Sequence, residues 1–313
     1  MQSNSVLSKP LISIDVFTIL VLTPAFIDGQ NAFLAVVALL AYLLISLGMP
    51  LGTTEIEARI ANRLSFVLRF TLLLAIVTSA VIVPTVGNYL ERLRAPVKED
   101  GYSDAYRDLS DSGLQMELAL GYLDSGRNPY AESYQDTPLR FYQWSDVGQD
   151  NWHDPAYDYF VYFPGTLLIS YPFYRGAISL DILYDQRIVF LIIYSFVLLI
   201  IPQLTDVLEY KLALVSAIGL NPLITDSVML GMNDIAPLAG IVLTVLAITR
   251  HRLLMAAFFL GTSCALKQYS WFVVPFFLFY LWEHSASDRR WRDVLLASLV
   301  IGTIVFLVSL PFV

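Results

Sequence analysis

Three stretches of the chain carry side chains able to do chemistry together. The first runs Asp108-Leu-Ser-Asp111-Ser-Gly-Leu-Gln115-Met-Glu117 and continues to Asp124-Ser-Gly126-Arg127-Asn128-Pro129-Tyr130. Leu114, Leu118 and Tyr122 recur at i, i+4 and i+8, so the spacing predicts a helix with one apolar face. Gly126 is placed to stop it, with Pro129 just beyond. Asp111 then falls in the first turn, where the helix dipole favours a carboxylate. Such a group either takes a proton from a hydroxyl or, like Asp108, merely caps the helix. The second stretch, Met229-Leu-Gly231-Met-Asn233-Asp234, leads into an apolar run. The third, Leu260-Gly261-Thr-Ser-Cys264-Ala-Leu-Lys267-Gln268, ends one. A lysine there either holds a lipid phosphate as a point charge or snorkels to water.

Between the first and second stretches lie eleven aromatic residues within positions 130–163, among them Tyr130, Trp144 and Tyr162. They alternate with Asp136, Asp146, Asp150, Asp154 and Asp158. Aromatic faces beside carboxylates suit sugars, whose C–H faces stack while their hydroxyls donate to acids. A belt of rings at a membrane surface is the competing reading. On the first reading Tyr130, Tyr162, Trp144 and Arg127 are the candidates for holding an acceptor or a sugar.

The elements that must position these groups are hydrophobic. Of 313 residues, 57% are apolar and 15% charged, with a mean hydropathy of +0.63. Soluble domains carry about a quarter charged residues, so a soluble enzyme, a disordered chain and a disulfide scaffold are excluded. The single cysteine, Cys264, allows no intramolecular disulfide. The net charge of −8 argues against a nucleic-acid partner. All of it comes from residues 87–160, which hold 14 acids and 6 bases, while the remainder balances.

A bilayer-crossing helix needs about 20 mainly apolar residues. Residues 31–47, 66–86, 188–204, 235–249, 253–266 and 294–313 qualify, with 11–27, 160–174 and 271–282 as further spans. The first apolar run lacks a strongly basic start and a cleavage site, so it reads as a span rather than a removed signal. Lys and Arg of short loops mark the cytoplasmic side. Arg59, Arg63 and Arg69, then Arg175 and Arg187, then Arg250 and Arg252, then Arg289, Arg290 and Arg292 define four such loops. The expectation is an all-α polytopic bundle of about nine crossings with a cytoplasmic N-terminus. It carries one large extracytoplasmic loop containing the Asp111 helix. Residues 212–225, broken at Asn221-Pro222 and flanked by charges taken as external, read as a re-entrant hairpin. Three parts follow: N-terminal spans at 1–86, the acidic, aromatic catalytic loop at 87–160, and a bundle at 161–313 expected to be truncated.

In order and spacing these pieces resemble the polytopic GT-C glycosyltransferases, above all the polyprenol-phosphate-mannose-dependent branch. The resemblance rests on the Asp111 helix ending in Gly126-Arg-Asn-Pro-Tyr130, on Tyr162-Phe-Pro164, on Gly231-Met-Asn-Asp234 and on Gly261 to Lys267-Gln268. It implies transfer of a mannose-like hexose from a polyprenyl-phosphate donor to an acceptor hydroxyl outside the cytoplasm. Asp111 matches the acceptor-activating acid, with Asp108 as its substitute. Lys267, Asn233, Asp234 and Gln268 match the donor and phosphate pocket. A single base implies displacement with inversion. The acceptor is a glycan, a lipid or a protein, and membrane lipids surround the enzyme. No cofactor is implied beyond the lipid-linked sugar. The Asp108–Asp111 pair suits a divalent cation, although a full ligand set is not visible. The rival reading is a secondary transporter or channel that binds at a broken helix around Asn221-Pro222, with Asp15, Asp226 or Asp234 coupling an ion. A non-enzymatic scaffold comes third.

Overall fold

The computed structural model describes residues 13–23, 32–48, 55–95, 108–142 and 155–313. Every regular element among these residues is helical. In chain order the α-helices are α1 (Ile14–Leu22), α2 (Ala32–Gly48), α3 (Glu55–Val77), α4 (Val83–Arg94), α5 (Asp111–Asp124), α6 (Pro164–Ser179) and α7 (Gln186–Ile200). They continue as α8 (Leu208–Gly219), α9 (Pro222–Leu230), α10 (Ile235–Thr249), α11 (Leu253–Leu266), α12 (Val273–His284) and α13 (Arg290–Ser309). A π-helical turn, Thr78–Ile82, joins α3 to α4 without a break. Three described helices are long and apolar enough to cross a membrane, 60–94, 186–204 and 290–312, and the α8–α9 pair makes a fourth if counted as one span. That pair is bent by 46°, so the chain deflects at Asn221-Pro222 and does not reverse there.

The chain divides into two compact units. One comprises residues Met1–Val83 and Leu198–Thr225. Within it α1 packs on α8 and α2 on α3. Asp15, fully buried, accepts from the Tyr42 hydroxyl at 2.5 Å and from Arg69 Nη1 at 2.9 Å, and Arg69 Nη1 also reaches Ser46 Oγ at 3.1 Å. A buried charge persists only when paired and hydrogen-bonded, so this knot ties α1, α2 and α3 to one another. At one end of the unit Arg63, Asp206, Glu209 and Lys211 line a common cleft, with Lys211 Nζ 5.7 Å from the Phe66 ring centre. The sequence expectation had put Arg63 and the 206–211 charges on opposite membrane faces; the cleft puts them on one.

The second unit comprises Pro84–Val197 and Asp226–Val313. Its C-terminal helices stack, α10 against α11 and α11 against α13, with Ala256, Leu260, Cys264 and Ile301 buried between them. Cys264 is a free, buried thiol. Around α5 lies a separate core of Leu109, Leu114, Met116, Leu120, Tyr134, Leu139, Phe160 and Leu167, against which Tyr130, Tyr142, Tyr157 and Tyr162 pack. The α6 helix lies alongside α5 and reaches α11 at its N-terminus.

Two of the expected loop charges are corrected here. Arg175 pairs with Asp124 at 2.7 Å, and Arg187 holds Asp185 and donates to the Asp108 carbonyl at 3.1 Å. Both arginines therefore sit with the acidic segment, not across the membrane from it. Counting loop arginines misassigned them because each is held by a group distant in sequence, Arg175 by the Asp124 carboxylate and Arg187 by the Asp108 carbonyl.

Candidate active site

The site is built outward from the first turn of α5. The cap is neither of the aspartates considered: Ser110 Oγ accepts from Gly113 N at 3.0 Å. Asp111 is the first helical residue, half-buried, with its Oδ1 accepting the Ser112 N–H at 2.7 Å. Asp108 contributes its carbonyl, which Arg187 holds. At the far end the expected stop is present, since Gly126 has φ +74° and the Arg127 N–H returns to the Tyr122 carbonyl at 2.9 Å.

The turn before α5 is joined to the chain after α9. Ser110 N donates to the Leu230 carbonyl at 2.7 Å. Gly231, at φ +77°, lies so close that a Cβ on it would come 2.9 Å from Leu109 Cδ1 and 3.7 Å from Gly113 Cα. Only glycine accepts both that conformation and that approach. Two residues on, Asn233 and Asp234 meet the end of α11. Lys267 Nζ donates to Asn233 Oδ1 at 2.9 Å and to Asp234 Oδ1 at 2.5 Å. Ser227 Oγ reaches Asp234 Oδ2 at 3.1 Å, and the Tyr269 hydroxyl donates to the Asp234 carbonyl at 2.8 Å. The Pro164-Gly165-Thr166 start of α6 presses on the same region. A Cβ on Gly165 would come 2.8 Å from the Ala265 carbonyl carbon, and Thr166 Oγ1 donates to the Leu266 carbonyl at 3.3 Å. Stretches separated by more than 150 residues thus meet around Gly231, Asn233 and Lys267.

One atom of this cluster lacks a partner. Asn233 is 4% exposed, and its Nδ2 makes no hydrogen bond among the described residues. A buried donor left unsatisfied costs about 1–3 kcal/mol. Lys267 has three N–H donors; the contacts above occupy two. The arrangement therefore offers two hydrogen-bond donors, one of them on a cation, to an incoming acceptor atom.

Behind α5 sits a four-membered ionic cluster that sequence reasoning missed. Arg92 grips Glu117 in a forked pair at 2.8 and 2.5 Å and reaches Asp185 at 2.9 Å. Arg187 holds Asp185 at 2.9 and 2.7 Å, and the Gln186 N–H donates to Glu117 at 2.9 Å. Burial pushes the Asp185 carboxyl up, but the Arg187 and Arg92 guanidiniums more than offset it, leaving it below the usual carboxylate range. For Glu117 burial prevails over Arg92 and the group is pushed up. Two acids and two bases on three separate segments leave no local spacing signal.

Of the described aromatic residues, Tyr130, Tyr134 and Tyr142 turn their hydroxyls inward, whereas Tyr159 is exposed. The Tyr130 hydroxyl donates to the Tyr162 carbonyl at 2.6 Å, Tyr134 to Pro129 at 3.1 Å, and Tyr142 to Leu109 at 2.7 Å. Irregular backbone that is buried must find hydrogen-bond partners, and these tyrosines supply them. Burial pushes the Tyr130 and Tyr134 phenols above their ordinary values. Arg127 stays at the surface, paired with Glu132 at 3.0 Å and lying 4.2 Å over the Tyr122 ring. Gln268 is exposed at the start of the turn after α11. Trp144 lies outside the described residues, as do Asp146, Asp150 and Asp154. Among the described residues no group of three or more His, Cys, Asp or Glu is arranged to hold a metal ion.

No curated protein and no solved structure matches the chain. Residues 160–313, which supply α6 through α13 and hence Asn233, Asp234 and Lys267, match the family model of Glycosyltransferase family 87, and that match supports a membrane enzyme that transfers sugars.

Proposed function

We propose that the protein is a GT-C-type glycosyltransferase that moves a mannose-like hexose from a polyprenyl phosphate to an acceptor hydroxyl on the extracytoplasmic face. The observation that carries this reading is the unpaired Asn233 Nδ2 beside Lys267, at the end of the segment that abuts the first turn of α5. In the reaction the Asp111 carboxylate takes the proton of the acceptor hydroxyl. The hydroxyl oxygen attacks the anomeric carbon as the bond to the phosphate oxygen breaks, and the electron pair leaves with the phosphate. Lys267 and Asn233 donate to that phosphate, and Asp234, held by Ser227, keeps the ammonium in position. Fixed donors aimed at developing charge need no rearrangement during the step. One displacement inverts the sugar carbon.

The same reading keeps about nine crossings but redistributes them. The α6 helix runs beside α5 at the membrane surface, and the bent α8–α9 pair takes its place as a span. The α5 end of the bundle then faces outward, and Arg250, Arg252, Arg289, Arg290 and Arg292 face the cytoplasm. The transporter reading is not supported, because Asp15 is engaged by Arg69 and Asp234 by Lys267, and the third carboxylate it named, Asp226, lies exposed.

The test uses membranes containing the protein, radiolabelled polyprenyl-phosphate mannose and native lipid extract. Asp111→Asn is expected to reduce transfer by about 10²–10⁴-fold, the usual contribution of a general base, with insertion unchanged. Transfer at the wild-type rate by Asp111→Asn removes it from that role.

A further inference from the structure

The first unit holds a charged cleft that sugar transfer does not use. Asn62, Arg63, Phe66, Asp206, Glu209 and Lys211 line it, and its volume is about 530 Å³. Small-molecule sites typically measure roughly 300–1,000 Å³. The lining carries two cations and two carboxylates, so its formal charge is zero. Among the described residues none of these four side chains makes an ion pair or a hydrogen bond; Lys211, half-buried, lies over the Phe66 ring. Lysine and glutamate seldom leave water unpaired. Both signs are therefore open to a ligand, and an ion of one sign would leave the other pair unanswered. The ligand that answers both is a zwitterion.

Position identifies which zwitterion. Asn62, Arg63 and Phe66 fall in the first two turns of the apolar run 60–94, and Leu208 opens the bent α8–α9 pair. The apolar run 186–204 ends just before Asp206. Helices of membrane length thus begin or end at the cleft, which is the depth of lipid headgroups. On α3 the exposed side chains of Ile60, Leu64 and Val67 make an apolar stripe at i, i+4 and i+7 beside Arg63. A water-soluble zwitterion gains nothing from that border, whereas the acyl chains of a phospholipid do. The amine is a primary one. An ethanolamine ammonium brings three N–H donors to Asp206 and Glu209. A choline brings none and needs an aromatic face, and Phe66 is already taken by Lys211.

We propose that this cleft binds the phosphoethanolamine head of a membrane phospholipid. Arg63 and Lys211 hold the phosphate, with the arginine fork matched to its oxygens. Asp206 and Glu209 hold the ammonium, and the acyl chains lie along Ile60, Leu64 and Val67. Because α3 and α8 each supply both a wall and a charge, the bound head ties these helices together and stabilises the folded chain. The site lies wholly in the first unit and stands whether or not the second transfers sugar.

The test takes the full chain, stripped of lipid in detergent, and titrates it with phosphatidylethanolamine, phosphatidylcholine or phosphatidylglycerol of identical acyl chains. Retained lipid is counted by native mass spectrometry, and the melt is followed in parallel. Phosphatidylethanolamine is expected to bind about tenfold more tightly than either of the others and to raise the melting temperature most. The double variant Asp206→Asn, Glu209→Gln leaves two cations and no carboxylate, and is expected to prefer phosphatidylglycerol. The double variant Arg63→Gln, Lys211→Met is expected to lose phosphatidylethanolamine. Melting with lipid-free wild type verifies that each variant folds, and the order of the three lipids on wild type is read without any variant. Equal binding of the three lipids by wild type, or its preference for phosphatidylcholine or phosphatidylglycerol, overturns the proposal. So does an order left unchanged in the folded carboxylate variant. Water-soluble O-phosphoethanolamine that binds as tightly as the lipid makes the cleft a site for a free zwitterion and overturns the membrane source.

Discussion

Two glycines of one helix, Gly165 and Gly176, should respond oppositely to the same methyl group. At Gly165 the added Cβ would stand 2.8 Å from the Ala265 carbonyl carbon and nearer still to its oxygen. These are main-chain atoms of α11, so no side chain can rotate away, and overpacking of this kind costs about 1–3 kcal/mol. At Gly176 the methyl meets nothing within 4 Å. Removing a glycine from a helix interior there contributes about 0.5–1 kcal/mol. Gly165→Ala and Gly176→Ala should therefore differ by roughly 1.5–4 kcal/mol in stability, with wild type between them. Thermal unfolding of the purified protein in detergent, followed by circular dichroism, reads the order directly. Gly165→Ala should also lower sugar transfer, because Ala265 is two residues from Lys267. A Gly165→Ala protein that melts with or above wild type would refute the contact between α6 and α11, and with it the approach of the Tyr162-Phe-Pro164 stretch to the site.

Other outcomes follow from the ionic cluster and the cap. Arg92→Met leaves the buried Glu117 without its cation, while Arg187 still holds Asp185, and should cost about 3–5 kcal/mol, measured in the same melt. Asp185, with its folded pKa below the unfolded value of about 3.9, contributes stability above that value and loses it as pH falls through the folded pKa. Acid unfolding below about pH 4 should be shallower in Asp185→Asn; Glu117, pushed up by burial, acts in the opposite sense at higher pH. Ser110→Ala removes the α5 cap and should lower stability by about 1 kcal/mol, whereas a capping role for Asp108 would make Asp108→Ala the damaging change and leave Ser110→Ala silent.

Local signals were readable in the sequence. The span of α5, its stop at Gly126, the runs of α10 and α11, and the sites of Asn233 and Lys267 at their ends all follow from periodicity and composition within a few turns. Long-range pairing was not readable. Residues 160–174 have the apolar content of a span, and no spacing announces that Arg175 pairs with Asp124 or that Gly165 abuts Ala265. Arg92, Glu117, Asp185 and Arg187 come from three segments, so no spacing announces them as a unit. Tyrosines interleaved with carboxylates have the composition of a sugar platform, but Tyr130, Tyr134 and Tyr142 spend their hydroxyls on main-chain carbonyls. Composition reports that a ring is present and not which way it faces.

The solitary thiol gives the molecule a built-in clock. Cys264 is fully buried between α11 and its neighbours, three residues before Lys267, and its carbonyl accepts the Trp271 indole N–H at 3.0 Å. An alkylating reagent cannot reach the sulfur until the helical stack parts, so the pace of maleimide capture counts excursions of this one corner. A ligand that locks Lys267 and Asn233 in place slows that count, so occupancy of the pocket can be timed before its sugar is identified.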